Sequence, residues 1–195
     1  MKRTLLIILV IAASIPVAMI ACKTKADSNF IATTISQDSL ISRGAYLVTA
    51  NVCDDCHSPK TVGPHGLEII PELRFSGFQQ NGKLPSVDTS EVKKGWTLFN
   101  EDLTAAVGPW GVSFSANLTS DPTGIGSWNE EQFLKAIREG KLKGVEGTRP
   151  ILPPMPWQNF RNMTDEDLKA IFAFLKSTKP VRNVVPGPRP LAQLN

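Results

Sequence analysis

The chain has 195 residues, 42% hydrophobic and 20% charged, with a formal net charge of +3 at pH 7. This suits one folded domain with an elaborated loop region, and the composition excludes wholesale disorder. Without Lys2 and Arg3, which belong to the leader described next, the charge is about +1, too small for the basic footprint of nucleic-acid binding.

Lys2 and Arg3 precede an apolar run from Leu5 to Ile20, the layout of an export leader. It ends in Met19-Ile20-Ala21-Cys22, similar to a bacterial lipoprotein cleavage box, with Met19 where leucine is usual. Residues 1–21 are therefore expected to be a lipoprotein signal peptide, with Cys22 lipidated as a membrane anchor in the periplasm or outer cell envelope. The alternative is an uncleaved anchor helix, for which 5–21 is just long enough. Pro16 and the Ala21-Cys22 junction favour cleavage. Residues 22–37 are polar and without a period, which predicts a flexible tether.

The domain proper is expected over 38–180. Its first helix should run from Asp38 to Val52, capped by Asp38 or Ser39, with Leu40, Gly44, Leu47 and Val48 on one face. A glycine on that face costs about 1 kcal/mol against alanine, so a close crossing by another helix is the expected compensation.

Cys53-Asp54-Asp55-Cys56-His57 follows, the C-x-x-C-H spacing of covalent c-type haem attachment. Two thiols three positions apart can each add to one haem vinyl group, and the adjacent histidine then becomes the proximal iron ligand. Three other uses of C-x-x-C compete with this one. A zinc site would have to crowd Cys53, Cys56, His57 and His65 into one loop. A thioredoxin-like pair would need a βαβ frame, whereas a helical pattern precedes this motif. A Cys53–Cys56 disulfide is the third. Haem attachment also accounts for the cysteine count: one of three for lipid, two for haem.

An iron-ligating imidazole normally donates its second N–H to a carbonyl, and Pro64, then Pro59, are the candidate acceptors here. From Gly66 to Gly126 short apolar runs alternate with Gly, Pro, Asn and Asp, predicting a long irregular insertion with a few turns or short strands. Such a loop suffices to cover one haem edge.

Ser127 to Glu130 reads as a capping box opening a helix over 128–139, with Phe133, Ala136 and Ile137 inward and Gly140 at its end. Lys135, Arg138, Lys141 and Lys143 make that end basic, either a solvated face or a docking patch for an acidic partner. Pro150, Pro153, Pro154 and Pro156 then stiffen a loop that carries Met155. With His57 on one side of the iron, a thioether suits the other, and Met155 is the candidate. The rival, Met163, sits just before Thr164 as the residue of a hydrophobic staple. Arg149 and Trp157, beside the loop, are candidates to bond the haem propionates. The last helix is capped by Thr164, carries Leu168, Ile171, Phe172 and Leu175 as one stripe, and stops at Pro180. Phe172 or Leu175 is expected against Gly44, and 181–195 is expected to run extended over the surface.

This order of features resembles the class I cytochrome c family over about residues 38–65 and 127–178. The resemblance implies an all-α cytochrome c fold, three main helices around one covalent haem c, with terminal helices crossing at a glycine–aromatic contact. Ser115-Ala116-Asn117-Leu118-Thr119, Gly124-Ile125-Gly126 and Trp128 are similar to haem domains that serve periplasmic dehydrogenases.

The expected function is that of an exported monohaem electron carrier. Cys53 and Cys56 bind the haem, and His57 and Met155 ligate its iron. It exchanges electrons with redox proteins in the periplasm or membrane, and neither a small-molecule substrate nor catalysis is expected. The alternatives are a haem subunit of a dehydrogenase complex, with 66–126 as its docking surface, and a peroxidase-like or gas-binding protein with an open sixth iron position.

Overall fold

The first expected helix forms as α1, Gln37–Ala50, in a computed structural model that describes residues 36–194. The leader, Cys22 and nearly all of the tether lie outside the described residues. Ser36, not Asp38 or Ser39, caps α1, its hydroxyl accepting the Ser39 N–H at 3.2 Å. A cap must stay outside the helical backbone region, and Ser36 is extended while Asp38 and Ser39 are already inside the helix.

The last helix, α6 (Asp165–Ser177), starts as expected, with the Thr164 hydroxyl accepting the Asp167 N–H at 3.1 Å. It crosses α1 at Gly44. A Cβ at Gly44 would overlap the Ala170 carbonyl and lie 2.7 Å from the Phe174 Cβ. The expected partners, Phe172 and Leu175, do not make this contact. Phe172 turns instead to Phe133, ring centres 5.2 Å apart, and Ala170 and Phe174, one helical turn apart, form the face toward α1. Ala170 is small enough to let the backbones approach. α4 (Glu130–Glu139) buries Phe133, Ala136 and Ile137 and ends at left-handed Gly140, as read from the sequence. Its cap is Asn129, whose Oδ1 accepts the Gln132 N–H at 2.7 Å, rather than Ser127. Two short helices complete this part: α2 (Cys53–His57) and α5 (Trp157–Phe160).

The all-α expectation is corrected by two small antiparallel sheets. β1 (Lys60–Gly63) pairs with β2 (Gly66–Ile69). After a short helix, α3 (Thr89–Lys93), come β3 (Leu98–Phe99), β4 (Ala105–Gly108) and β5 (Gly111–Phe114), in the order β3-β4-β5. The insertion is therefore built rather than irregular. Val92, Val107 and Val112 form a second core, flanked by Leu84, Val87, Leu98, Phe114, Leu191 and Leu194. Every residue of β4 is buried. A strand covered on both faces lacks the alternation that marks a half-exposed one, so the sequence pattern passed over it.

The tail does not simply run over the surface. Arg189 bridges to Val112 through both backbone groups, at 2.8 and 3.2 Å. Asn183 is 1% exposed. Its Nδ2 donates to the carbonyls of Ser76 (2.7 Å) and Phe78 (2.9 Å), and its Oδ1 accepts the Gln80 N–H at 2.8 Å. Asn183→Ala would strand two buried carbonyls, those of Ser76 and Phe78, and free the Gln80 N–H, and is expected to cost about 1–3 kcal/mol. A lowered urea midpoint at unchanged slope would register it. A midpoint equal to wild type would mean the tail is held elsewhere.

Candidate functional site

The attachment motif forms α2, a single helical turn between two sharp bends. Val52 enters it with left-handed backbone angles (φ 51°, ψ 35°), a strained state for a β-branched residue. The bend turns the chain off the end of α1, and Cys53 packs on the main core. Cys53 and Cys56 are not joined by a disulfide, and both are half-buried. Burial, followed by the neighbouring Asp54 carboxylate, pushes the Cys53 thiol up to about 11, and burial also raises Cys56. A thiol–disulfide exchange motif works with a lowered thiol value, so the thioredoxin-like alternative has no support here.

His57 is buried. Its Nδ1 donates to the Ala116 carbonyl at 2.8 Å, and burial holds the ring below its ordinary pKa. A carbonyl only accepts, so Nδ1 carries the proton and the lone pair of the neutral ring lies on Nε2. That is the arrangement of an iron-ligating imidazole. The acceptor is neither Pro64 nor Pro59. Pro64 sits exposed in the β1–β2 turn, and the Pro59 carbonyl accepts Ile70 N–H at 3.0 Å. The chain runs through the β1–β2 hairpin instead, and a segment about sixty residues downstream comes back to the ring.

That segment is held from two sides. Gly77, at φ 72°, lies so close to residues 115–116 that a Cβ would overlap their backbone. Around it, Gly77 N–H donates to the His57 carbonyl (2.8 Å), Phe78 N–H to Ser115 (3.0 Å) and Leu118 N–H to Phe75 (2.8 Å). Asn117 anchors the other side. Its Oδ1 accepts Thr119 N–H (2.9 Å) and hydroxyl (2.8 Å), and its Nδ2 donates to the Val181 carbonyl at 2.9 Å. The Ala116-Asn117-Leu118-Thr119 stretch, singled out in the sequence, thus positions the carbonyl that orients His57.

Asp54 and Ser58 brace the motif, and the sequence reading passed over both. The Ser58 hydroxyl donates to Asp54 Oδ1 at 2.6 Å and accepts Phe75 N–H at 2.9 Å. Arg74 forks onto Asp54 at 3.0 and 2.7 Å. Burial works against the Asp54 carboxylate, but Arg74, Ser58 and Lys60 outweigh it and hold it below the ordinary carboxylate range. A depressed folded value stabilises fully above the unfolded value, about 3.9, and that stabilisation is lost as pH falls through the folded one. Unfolding free energy measured at a series of pH values should therefore drop more steeply below pH ~4 for wild type than for Asp54→Asn. Equal slopes would remove Asp54 from the acid response.

Met155 lies half-buried against the same core as Cys53. Its loop hangs from α4 through Ile151 N–H to the Gly140 carbonyl (2.6 Å), and from β5 through the Ser113 hydroxyl to the Pro153 carbonyl (2.6 Å). A cleft of about 310 Å³ is lined there by Ile151, Pro153, Pro154, Met155, Pro156 and Trp157. The Trp157 ring covers Gly140, where a Cβ would collide with it. Arg149 is exposed and donates to the Pro150 carbonyl at 2.8 Å. Met163 also packs on the core, directly before the Thr164 cap.

The donor set fits haem c: two thiols one turn apart, a buried histidine with its tautomer set, and a methionine on the same core. The zinc alternative fares worse. His65 stands exposed in the hairpin turn, and no group of three or more His, Cys, Asp or Glu among the described residues is arranged to hold a metal ion. The basic end of α4 is largely matched by acids: Lys135 with Glu146 (2.5 Å), Lys141 with Glu139 (2.6 Å) and Glu146 (2.5 Å), Arg138 with Asp165 (2.5 Å). It makes a poor patch for an acidic partner.

A family model described as cytochrome c matches residues 41–179. The chain is 30% identical over 148 residues to the gluconate 2-dehydrogenase cytochrome c subunit of Pantoea cypripedii, covering 75% of this chain and 25% of that protein. It is 41% identical over 154 residues to the alcohol dehydrogenase (quinone) cytochrome c subunit of Komagataeibacter europaeus, covering 77% and 25%. Over 157 residues it is 30% identical to the fructose dehydrogenase cytochrome subunit of Gluconobacter japonicus, covering 79% and 24%. The chain thus spans about a quarter of the length of these relatives.

Proposed function

The chain belongs to the cytochrome c family and carries covalently bound haem c; from that premise we propose that it is an exported one-electron carrier with His57 and Met155 as axial iron ligands. Cys53 and Cys56 hold the group through two thioethers. The haem, when bound, supplies a one-electron iron couple. The chain's own residues set the conditions for it. Ala116 orients His57, the rigid proline loop presents the Met155 sulfur, and the apolar core excludes water. A thioether from Met155 together with the His57 imidazole would raise the potential. With His57 and Met155 both holding the iron, little would rearrange on electron exchange, as suits a carrier.

The observation that carries this reading is the His57–Ala116 hydrogen bond, because it leaves Nε2 as the donor nitrogen of a buried neutral ring. The test is the visible spectrum of the haem-loaded, reduced protein before and after carbon monoxide. An unchanged spectrum is expected. A ready shift would mean an accessible iron and would move the peroxidase-like or gas-binding reading ahead.

A second reading, as haem subunit of a dehydrogenase complex, is favoured by the relatives, which are named as cytochrome subunits of dehydrogenases. Co-purification with a larger flavin or quinone enzyme on gentle membrane extraction would support it, and a freely exchanging monomer would not. Anchoring through a lipid on Cys22, in the periplasm or outer envelope, belongs to the same proposal. Release of the protein from membranes by Cys22→Ser would test it. Arg149 and Trp157 are proposed beside the propionates.

A further inference from the structure

Lys60 opens β1, three residues after His57. Its Nζ donates to four main-chain carbonyls: Asp55 at 2.6 Å, Ser58 at 2.9 Å, Asp102 at 3.1 Å and Asp54 at 3.2 Å. An ammonium has three protons, so these oxygens share them. Asp54 and Asp55 belong to α2 and Ser58 directly follows it. The cation therefore sits at the negative end of the helix that carries the attachment motif, where a positive charge is favoured.

The fourth carbonyl comes from the insertion, in the turn between β3 and β4. That turn is organised from within. Asp102 Oδ1 accepts the Thr104 hydroxyl (2.6 Å), the Asn100 amide (2.7 Å) and the Thr104 N–H (3.1 Å). Asn100 Oδ1 accepts Ala105 N–H at 2.7 Å, and Leu103 takes a positive φ of 65°. The Asp102 carboxylate is thus engaged inside its own turn, and it is the main-chain carbonyl that meets Lys60. None of the described ion pairs includes Lys60. Main-chain dipoles, rather than a contacting carboxylate, hold the ammonium in place, and the Asp54 carboxylate feels its charge without bonding it.

We propose that Lys60 is a positioning residue for the haem: it locks the C-x-x-C-H turn to the β-insertion and keeps a fixed positive charge beside it that favours the reduced iron. The proposal rests on haem attachment at Cys53 and Cys56, but not on the carrier role. Taking up an electron lowers the positive charge at the iron, so a held cation nearby stabilises the reduced form more than the oxidised one. The insertion thereby acts on the electron equilibrium through one main-chain contact.

The experiment is the equilibrium reduction potential of haem-loaded wild type, Lys60→Met and Lys60→Arg, with the visible spectrum recorded alongside. Lys60→Met is expected to weaken electron uptake about three- to tenfold, the upper end being ~59 mV for one electron. Lys60→Arg keeps the charge and should stay near wild type, with an unchanged spectrum in both. A Lys60→Met potential equal to wild type, or an equal fall in Lys60→Arg, overturns the proposal. If Lys60→Met does not take up haem, Lys60→Gln offers neutral donors and should show the same fall. Carbon monoxide binding by wild type would sink the carrier reading while leaving this comparison intact.

Discussion

Met155→Ala is expected to turn a protein that ignores carbon monoxide into one that binds it in the reduced state. The potential should fall by a sizeable part of the ~0.8 V that axial-ligand choice spans in haem proteins. The long-wavelength band of a sulfur–iron(III) bond should vanish from the oxidised spectrum. The loop should survive the substitution, because its position depends on main-chain groups: Ile151 N–H on the Gly140 carbonyl and the Pro153 carbonyl under the Ser113 hydroxyl. Met163→Ala is the control. It too packs on the core, so it should lose some stability without opening the iron. The reverse pattern, with carbon monoxide entering only in Met163→Ala, would transfer the ligand role to Met163.

Gly44→Leu is the substitution expected to cost most stability. At Gly44 even a Cβ would overlap the Ala170 carbonyl, a mid-helix backbone atom that cannot swing aside as a side chain can. Leucine adds three more carbons at the tightest point between α1 and α6. Leaving glycine gains roughly 1 kcal/mol of helix propensity, while overpacking of this kind costs about 3 kcal/mol or more. The net loss is a large share of a domain stability of about 5–15 kcal/mol. Denaturant unfolding of Gly44→Ala and Gly44→Leu should give a graded fall in midpoint, with leucine the worse. A leucine variant with the wild-type midpoint would mean that α1 and α6 separate easily.

Much of the helical frame was legible in the sequence. The Leu40-Gly44-Leu47-Val48 face, the Thr164 cap and the Gly140 stop are local signals, each settled within one or two turns of chain. The cap errors at α1 and α4 are of the same local kind. Several polar residues competed for each cap, and the winner was the one whose own backbone stayed extended, Ser36 and Asn129. The insertion was harder. Its strands are two to four residues long, and β4 is buried throughout, so no period of two could appear. Its core is completed by Leu191 and Leu194, some eighty residues after β5, which no local pattern can foretell.

The attachment motif needed only the sequence, because its chemistry acts within one turn: two thiols and an imidazole delivered by five consecutive residues. The surroundings that orient it were decided by the tertiary structure. His57 meets the carbonyl of Ala116, Gly44 meets that of Ala170, and Lys60 reaches that of Asp102. Every residue carries the same main-chain carbonyl, so side-chain identity does not say which one will arrive. Only the path of the chain through space selects it.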